Sequence, residues 1–402
     1  MQKITKFLLY TNLFLLQSYL IRFEIFGYKS NLQEILFLSL FLSFFISKII
    51  TGKCLKTIKN IENHWILIGF LSLSAISSIL IQAESGIYFL RAIKFIGIGV
   101  VLTFIFLETL QKDEEKEKGL MILSIGATAF AIFSVLYNLF GINLPYDYRL
   151  QGPLDSAVYL GYYLSPFVLY TLISFIEKKK KLYLIPFFLL TISLILTRSM
   201  GSIGGVFFTL LVYFLIHFKE KIFSKKRNII YFSLITLTII TAIFFTKILP
   251  AIQTNYGSLN ERSEIWKTSL YLLEKPKNLI FGVGINQFQT QYEKNVFKAI
   301  NNNPLDYIVL QPHNIFLFFI FNWGILGFIF IFHCIYICVE RLIKFKTIPS
   351  VQKIYIFILI YFFIHGMIDT PWMKNDTLFL LILFMEMALL NNKKAKTTTQ
   401  NV

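Results

Sequence analysis

The sequence predicts an all-α polytopic membrane protein of about 12 transmembrane helices with one large helical loop on the outer side. Three observations predict it: composition, a run of apolar segments of bilayer-spanning length, and a one-sided distribution of positive charge. Of 402 residues, 56% are hydrophobic, 44 are Phe and only 15% are charged. A soluble domain cannot hide that much apolar surface, so much of it must face lipid.

Taken in order, the apolar segments lie near 7–27, 32–50, 63–82, 87–108, 119–140, 157–176, 182–198, 201–217, 229–248, 313–339, 354–370 and 375–391. Each approaches the length of about 20 apolar residues that crosses hydrocarbon. The close pair around 182–217 is the most open to a different count. The chain then divides into nine spans over 1–249, an outer helical loop over 250–312, three spans over 313–391 and an inner tail over 392–402. The first apolar stretch follows only two lysines and carries no small-residue cleavage site, so it reads as a retained span rather than a signal peptide.

Charge sets the orientation. With both termini inside, 25 of the 39 basic residues and 10 of the 22 acidic ones fall on the inner side, a balance of +15 there against +2 outside. The inverted topology would break the positive-inside rule at nearly every short loop. The net charge of +17 is thus a topology signal, and nucleic-acid binding is not needed to explain it. Cys54, Cys334 and Cys338 form neither a disulfide framework nor a metal-type spacing.

Most connections are short, but about 60 residues from Pro250 to Pro312 have mixed polarity, and a loop that long usually carries function or structure of its own. Within it, Ser258-Leu-Asn-Glu261 can cap a helix running to Lys275. Pro276, Gly282 and Gly284 break that helix, and a second amphipathic one is expected from Ile285 to Ala299. Such helices suit the membrane surface and can roof a cavity between spans. A shorter outer segment, Gly141 to Ser156, holds Tyr146, Tyr148, Arg149, Gln151, Gly152 and Pro153.

Three residues on this outer face have the chemistry to act on a lipid-linked phosphate: Arg198, Arg262 and His313. Arg262, in NERSEIW, offers a permanently charged fork of donors suited to phosphate oxygens; the plain alternative is a surface Arg paired with Glu261, Glu264 or a lipid headgroup. Arg198, in LTRSMGSIGG, sits between two spans beside small residues that expose backbone N–H groups, or simply snorkels at a helix end. His313, in QPHNIF, can accept a proton from a sugar hydroxyl where the loop re-enters the membrane, although an isolated His is more often structural.

Around them, Arg149 can hold sugar or phosphate or be an ordinary loop charge, Asn314 can orient a hydroxyl or cap a helix, and Asp369 can bind substrate, act as a secondary base, tune Arg and His, or cap the turn before Pro371. Glu84, Arg91 and Lys94 near one outer helix end are costly charges that lean functional or pair with one another. No Asp-x-Asp pair faces outside and no Walker motif or Cys/His cluster is present, so no cofactor or metal is expected. Arginines would then neutralise a leaving diphosphate.

Together the pieces YRLQGPLDSAVYLGYYL, LTRSMGSIGG, ERSEIWKTSLYLLEKPKNLIFGVGINQF, PHNIFLFFIFNWGILG and HGMIDTPW resemble the O-antigen ligase and polymerase superfamily of bacterial surface-polysaccharide enzymes, in the family's order from about 149 to 371. No piece is specific alone; the ordered set is. The resemblance implies a GT-C-like fold whose large loop is periplasmic and whose key outer residues are Arg198, Arg262 and His313. It also implies metal-independent inverting transfer at the bacterial inner membrane, with an undecaprenyl-diphosphate-linked glycan as donor and lipid A–core as acceptor.

Within the superfamily, the short 141–156 loop favours a ligase, since the polymerases show two sizeable periplasmic loops. Related protein-glycosylating transferases are usually longer. A transporter or flippase for an anionic lipid remains the alternative of a different class, and related halves with interrupted helices would mark it. Here the informative residues crowd one face and one loop instead.

Overall fold

The computed structural model describes residues 1–25, 28–142, 148–217, 258–345 and 348–389. Its described residues form fifteen α-helices with short 3-10 turns and one small hairpin. The first half runs α1 (Gln2–Phe14), β1 (Arg22–Ile25), β2 (Tyr28–Asn31), α2 (Leu32–Ile50), α3 (Cys54–Asn60), α4 (Trp65–Leu80), α5 (Gly86–Thr109), α6 (Asp113–Leu139), α7 (Ala157–Lys178), α8 (Leu184–Leu196) and α9 (Met200–His217). Three loop helices follow, α10 (Ser258–Leu273), α11 (Pro276–Phe281) and α12 (Phe288–Ile300), and then α13 (Ile315–Ile343), α14 (Ser350–Gly366) and α15 (Asn375–Leu389).

Six of these, α2, α5, α6, α7, α9 and α13, are long and apolar enough to cross a membrane. The pair α3–α4 is bent by 86° at its break and adds a seventh candidate if taken as one span. Helices α8, α14 and α15 are apolar but shorter, at 13 to 17 residues, and α1, of 13 residues, is mixed in polarity. The expected span near 229–248 lies outside the described residues, as do Tyr146, Pro250 and the inner tail.

The first expected span, 7–27, differs from the observed structure. Helix α1 stops at Phe14, a 3-10 turn covers Leu16–Leu20, and residues 22–31 pair as an antiparallel hairpin in the register Arg22↔Asn31 to Ile25↔Tyr28. The cause is visible in RFEIFGYKSN: polar and apolar residues alternate over RFEI, a glycine follows, and YKSN is mostly polar, a short strand-and-turn pattern that a hydropathy window averages away. The hairpin hands over to α2 through Asn31, whose side chain accepts from the Glu34 backbone N–H while donating to the Glu34 carboxylate at 2.7 Å, a reciprocal cap.

Helix α15 is buried along its whole length, and α7 and α14 pack beside it; Tyr162, Tyr361, Phe362 and Phe384 fill the space between them. Outer helices such as α2 instead present Leu38, Phe41, Phe45 and Ile49 outward, as lipid-facing helices must. Small residues allow the closest approaches. A Cβ at Gly161 would lie 2.9 Å from Ser199 Cβ, and one at Gly205 2.9 Å from the Tyr361 ring, so α7, α9 and α14 converge at their outer ends.

The outer loop has its own small core of Ile265, Leu272, Val283, Phe288, Tyr292 and Val296, closed by Phe321 of α13. Helix α13 is kinked at Gly324 (φ 64°, ψ −154°). The Phe321 carbonyl at that break accepts from the Val283 and Gly284 N–H groups at 2.9 and 3.2 Å, so the backbone stays satisfied. Gly282 lies so near that a Cβ there would be 2.6 Å from the Phe321 oxygen. The FGVGINQF run is therefore a docking motif. Asn286 N–H donates to Asn322 Oδ1 at 2.7 Å, and Gln287 both accepts from Ser85 N–H at 2.8 Å and donates to its carbonyl at 3.2 Å. Glu84 binds Lys294 and Gln291, while Lys94 binds Glu34, so these charges tie the loop and α2 down rather than pairing with each other.

Candidate active site

Three chain reversals build the site: the α8–α9 elbow, the entry to α13 and the exit of α14. At the entry, Asn314 accepts from the Phe316 and Leu317 N–H groups and donates to the Met367 carbonyl, so its polar atoms are used in capping α13 and holding the α14 exit. His313 immediately precedes that cap with φ 49°, and Arg198 at the elbow has φ 49° as well. Left-handed backbone is uncommon away from glycine and costs free energy, so it persists where the surroundings enforce it.

Asp369 is the hub. One carboxylate oxygen lies 2.7 Å from His313 Nδ1, and the other lies 3.4 Å from Arg262 Nη2. Arg262 Nε also donates to the Ile368 carbonyl at 2.8 Å, and the Thr370 N–H donates to Asp369 Oδ1 at 2.8 Å. Burial by itself would push the Asp369 carboxyl up, but the adjoining His313 and the Arg262 guanidinium overcome it and hold the group well below the usual carboxylate range. Arg262 is brought here by α10, whose Trp266 indole donates to the Pro312 carbonyl at 3.2 Å, one residue before His313. The Arg262 side chain is 15% exposed and that of His313 is 32% exposed, so the pair borders solvent while Asp369 lies beneath.

His365 was not singled out in the sequence, yet it lies one helical turn before Asp369 and is fully buried. Its Nε2 is 3.3 Å from Ser202 Oγ, and Ser199 Oγ donates to Ser202 Oγ at 3.0 Å. This chain joins the α14 exit to the elbow that carries Arg198. The signal was present in HGMIDTPW, where an i, i+4 spacing puts His and Asp on one face at a helix end.

Arg198 is exposed at the elbow. Arg149 lies alongside: its Nε donates to the Thr197 carbonyl at 2.9 Å, and Leu150 N–H donates to the Leu196 carbonyl at 3.0 Å. The structure thus brings Arg262, His313 and Asp369 into direct contact, sets Arg149 beside Arg198, and links the two groups through Ser199, Ser202 and His365. Among the described residues, no three His, Cys, Asp or Glu side chains gather in a way that could hold a metal.

Chemically, a carboxylate behind one imidazole nitrogen orients the ring and turns its other nitrogen outward as a proton acceptor; the same carboxylate stabilises the imidazolium that forms. Guanidiniums beside it match an anionic leaving group.

Residues 185–332 match the family model described as O-antigen ligase. The match contains Arg198, Arg262 and His313, begins after Arg149 and ends before Asp369. No curated protein matches the chain.

Proposed function

We infer that this chain, whose residues 185–332 match the family model described as O-antigen ligase, is a ligase that moves a glycan from undecaprenyl diphosphate to lipid A–core on the periplasmic face of the bacterial inner membrane. The observation that carries the reading is the contact of His313 and Arg262 with one buried carboxylate, Asp369, which follows His365, itself linked through Ser202 and Ser199 to the elbow of Arg198. Mostly helical architecture with several membrane-crossing helices agrees with a lipid-linked substrate. The full arrangement proposed is twelve spans in a GT-C-like fold, with both termini inside.

In the reaction, the acceptor hydroxyl gives its proton to the outward nitrogen of His313 as its oxygen attacks the anomeric carbon from the side opposite the diphosphate. The anomeric C–O bond breaks, its electron pair leaves on undecaprenyl diphosphate, and the new glycosidic bond has inverted configuration. Arg262 and Arg198 stabilise the charge that builds on the departing diphosphate, without a metal ion in that role. Asp369 holds the ring of His313 and offsets its positive charge. Arg149 steadies the elbow that presents Arg198.

The test is a gel of lipopolysaccharide from cells lacking the gene, beside a probe for undecaprenyl-linked glycan. Full-length polymer on the carrier with bare lipid A–core is the expected result. Single repeat units left on the carrier or capped onto core would make the protein a polymerase, and unchanged surface glycan would turn the reading toward transport.

A further inference from the structure

Helix α11 is the piece of the outer loop that no step of the reaction uses, and its placement is unusual. It packs against the kink of α13 rather than over its end: a Cβ on Gly324 would lie 2.1 Å from the Ile280 carbonyl oxygen, and one on Gly282 would lie 2.8 Å from that of Ile320. Those contacts fall five to nine residues past Ile315, where α13 begins, which is roughly 8–13 Å along the axis at the rise of an α-helix. The loop therefore dips beneath the level of His313 before it returns to α12.

Its side chains suit that depth. Leu279, Ile280 and Phe281 are each about 40–50% exposed, on a segment that touches the protein mainly through backbone. The residues of α13 just past the kink, Ile325, Leu326 and Ile329, are exposed and apolar as well. Lys275 and Lys277, both exposed, stand at the opposite end of this six-residue helix. The backbone that makes the turn is satisfied within the protein, because Gly282 N–H donates to Asn278 and Val283 and Gly284 to Phe321. That satisfaction lets irregular chain enter a hydrocarbon environment.

We propose that α11 is a membrane-inserted elbow: Leu279, Ile280 and Phe281 lie among the acyl chains of the outer leaflet, and Lys275 and Lys277 meet glycerophospholipid phosphates above them. An apolar tip sunk 5–10 Å with basic residues at the headgroup level is the arrangement an interfacial segment adopts. The elbow fixes the height of the loop, and hence of Arg262, against the phosphate plane. The proposal stands apart from the glycan-transfer reading, since depth is measured without substrate.

The experiment places a nitrobenzoxadiazole label on Ile280→Cys in a chain whose own three cysteines are replaced by Ala. The protein is reconstituted in vesicles of phosphatidylethanolamine and phosphatidylglycerol, with Lys298→Cys as the water-facing reference. Blue-shifted emission, quenching by acyl-chain nitroxide lipids and protection from aqueous iodide at position 280, with the reverse at 298, is the expected result. Iodide quenching at 280 like that at 298 would overturn the proposal, and protection from both quenchers would overturn it by showing that protein covers the tip. Should the cysteine-free chain fail to fold, Phe281 replaced by benzoyl-phenylalanine in the otherwise unchanged chain reads the same question. Phospholipid adducts support insertion, whereas adducts to protein alone, or none, refute it.

Discussion

Asp369→Asn isolates the hub of the site with a change of one heavy atom and almost no change of volume. In the native chain the carboxylate contacts His313 at 2.7 Å, so an imidazolium formed in the reaction faces a full negative charge. With charge centres about 4 Å apart and an effective dielectric near 20, that attraction is worth about 4 kcal/mol. If about half of the proton has transferred at the transition state, about 2 kcal/mol of stabilisation is lost, a fall of about 30-fold in kcat. The amide also introduces a choice the carboxylate lacked, because it can turn its NH2 toward His313 and hold the ring in the wrong tautomer, which extends the loss toward about 10,000-fold. Donor KM should move little, because Arg262 keeps its 2.8 Å bond to the Ile368 carbonyl. The assay is transfer from a synthetic undecaprenyl-diphosphate glycan to core lipid in proteoliposomes, with kcat and KM measured separately across pH. A fall smaller than about 10-fold with an unchanged pH profile would refute the dyad; a large rise in donor KM at constant kcat would place Asp369 in substrate binding instead.

Four further outcomes are expected. Gly282→Ala forces a side chain into a backbone conformation (φ 82°, ψ −171°) that only glycine adopts freely, 2.6 Å from the Phe321 oxygen; strain alone costs about 1–3 kcal/mol, and thermal unfolding in detergent should shift down by several °C. Asn314→Ala removes the cap of α13 and should cost about 1 kcal/mol by the same measurement, with a smaller effect on donor KM than on stability. His365→Gln, which can still reach Ser202, should retain most of kcat, whereas His365→Ala should lower kcat with donor KM nearly constant; equal loss in both would show that a titrating imidazole is needed there. For pH, a carboxyl held below its ordinary value stabilises the fold fully above about pH 4 and loses that contribution as pH falls through its folded value. The stability difference between the native chain and Asp369→Asn should thus hold constant down to about pH 4 and shrink below it.

Helices long in apolar residues were legible because hydrophobic length is a one-dimensional quantity: α5, α6, α7 and α13 fall where the hydropathy segments placed them. The hairpin at 22–31 was not, because a window tuned to 20 residues cannot resolve two strands of four. The loop helices were legible from Pro276 and the two glycines, though α10 ends at Leu273 and α12 begins only at Phe288. Asn286 and Gln287 are instead spent on contacts with Asn322, Tyr88 and Ser85, partners remote in sequence that no local pattern reveals. The same limit applies within the site. The chemical types of Arg198, Arg262 and His313 drew attention to them, and Asp369 was readable as a group that tunes Arg and His, but no local pattern reveals that this carboxylate, 56 residues beyond His313, touches both His313 and Arg262.

Both Arg198 and His313 occupy left-handed positions immediately before an apolar helix, α9 in one case and α13 in the other. For the proposed reaction, a group that meets a diphosphate at the lipid surface cannot sit deep in a span, where its charge is costly, nor far out on a loop, where its position is loose. The remaining place is the last residue before a helix cap. There the backbone is held by Asn314 in one case, and in the other by Ser199 N–H donating to Thr197 Oγ1 at 3.1 Å and by the bond of Arg149 to the Thr197 carbonyl. A left-handed residue at that point reverses the chain within one step and projects its side chain away from the helix axis. Arg262, by contrast, comes from the loop and needs another support, which α11 and the FGVGINQF clamp give by fastening that loop to the kink of α13. Rigid reversals thus position two of the three groups, and a docked loop positions the third against the carboxylate.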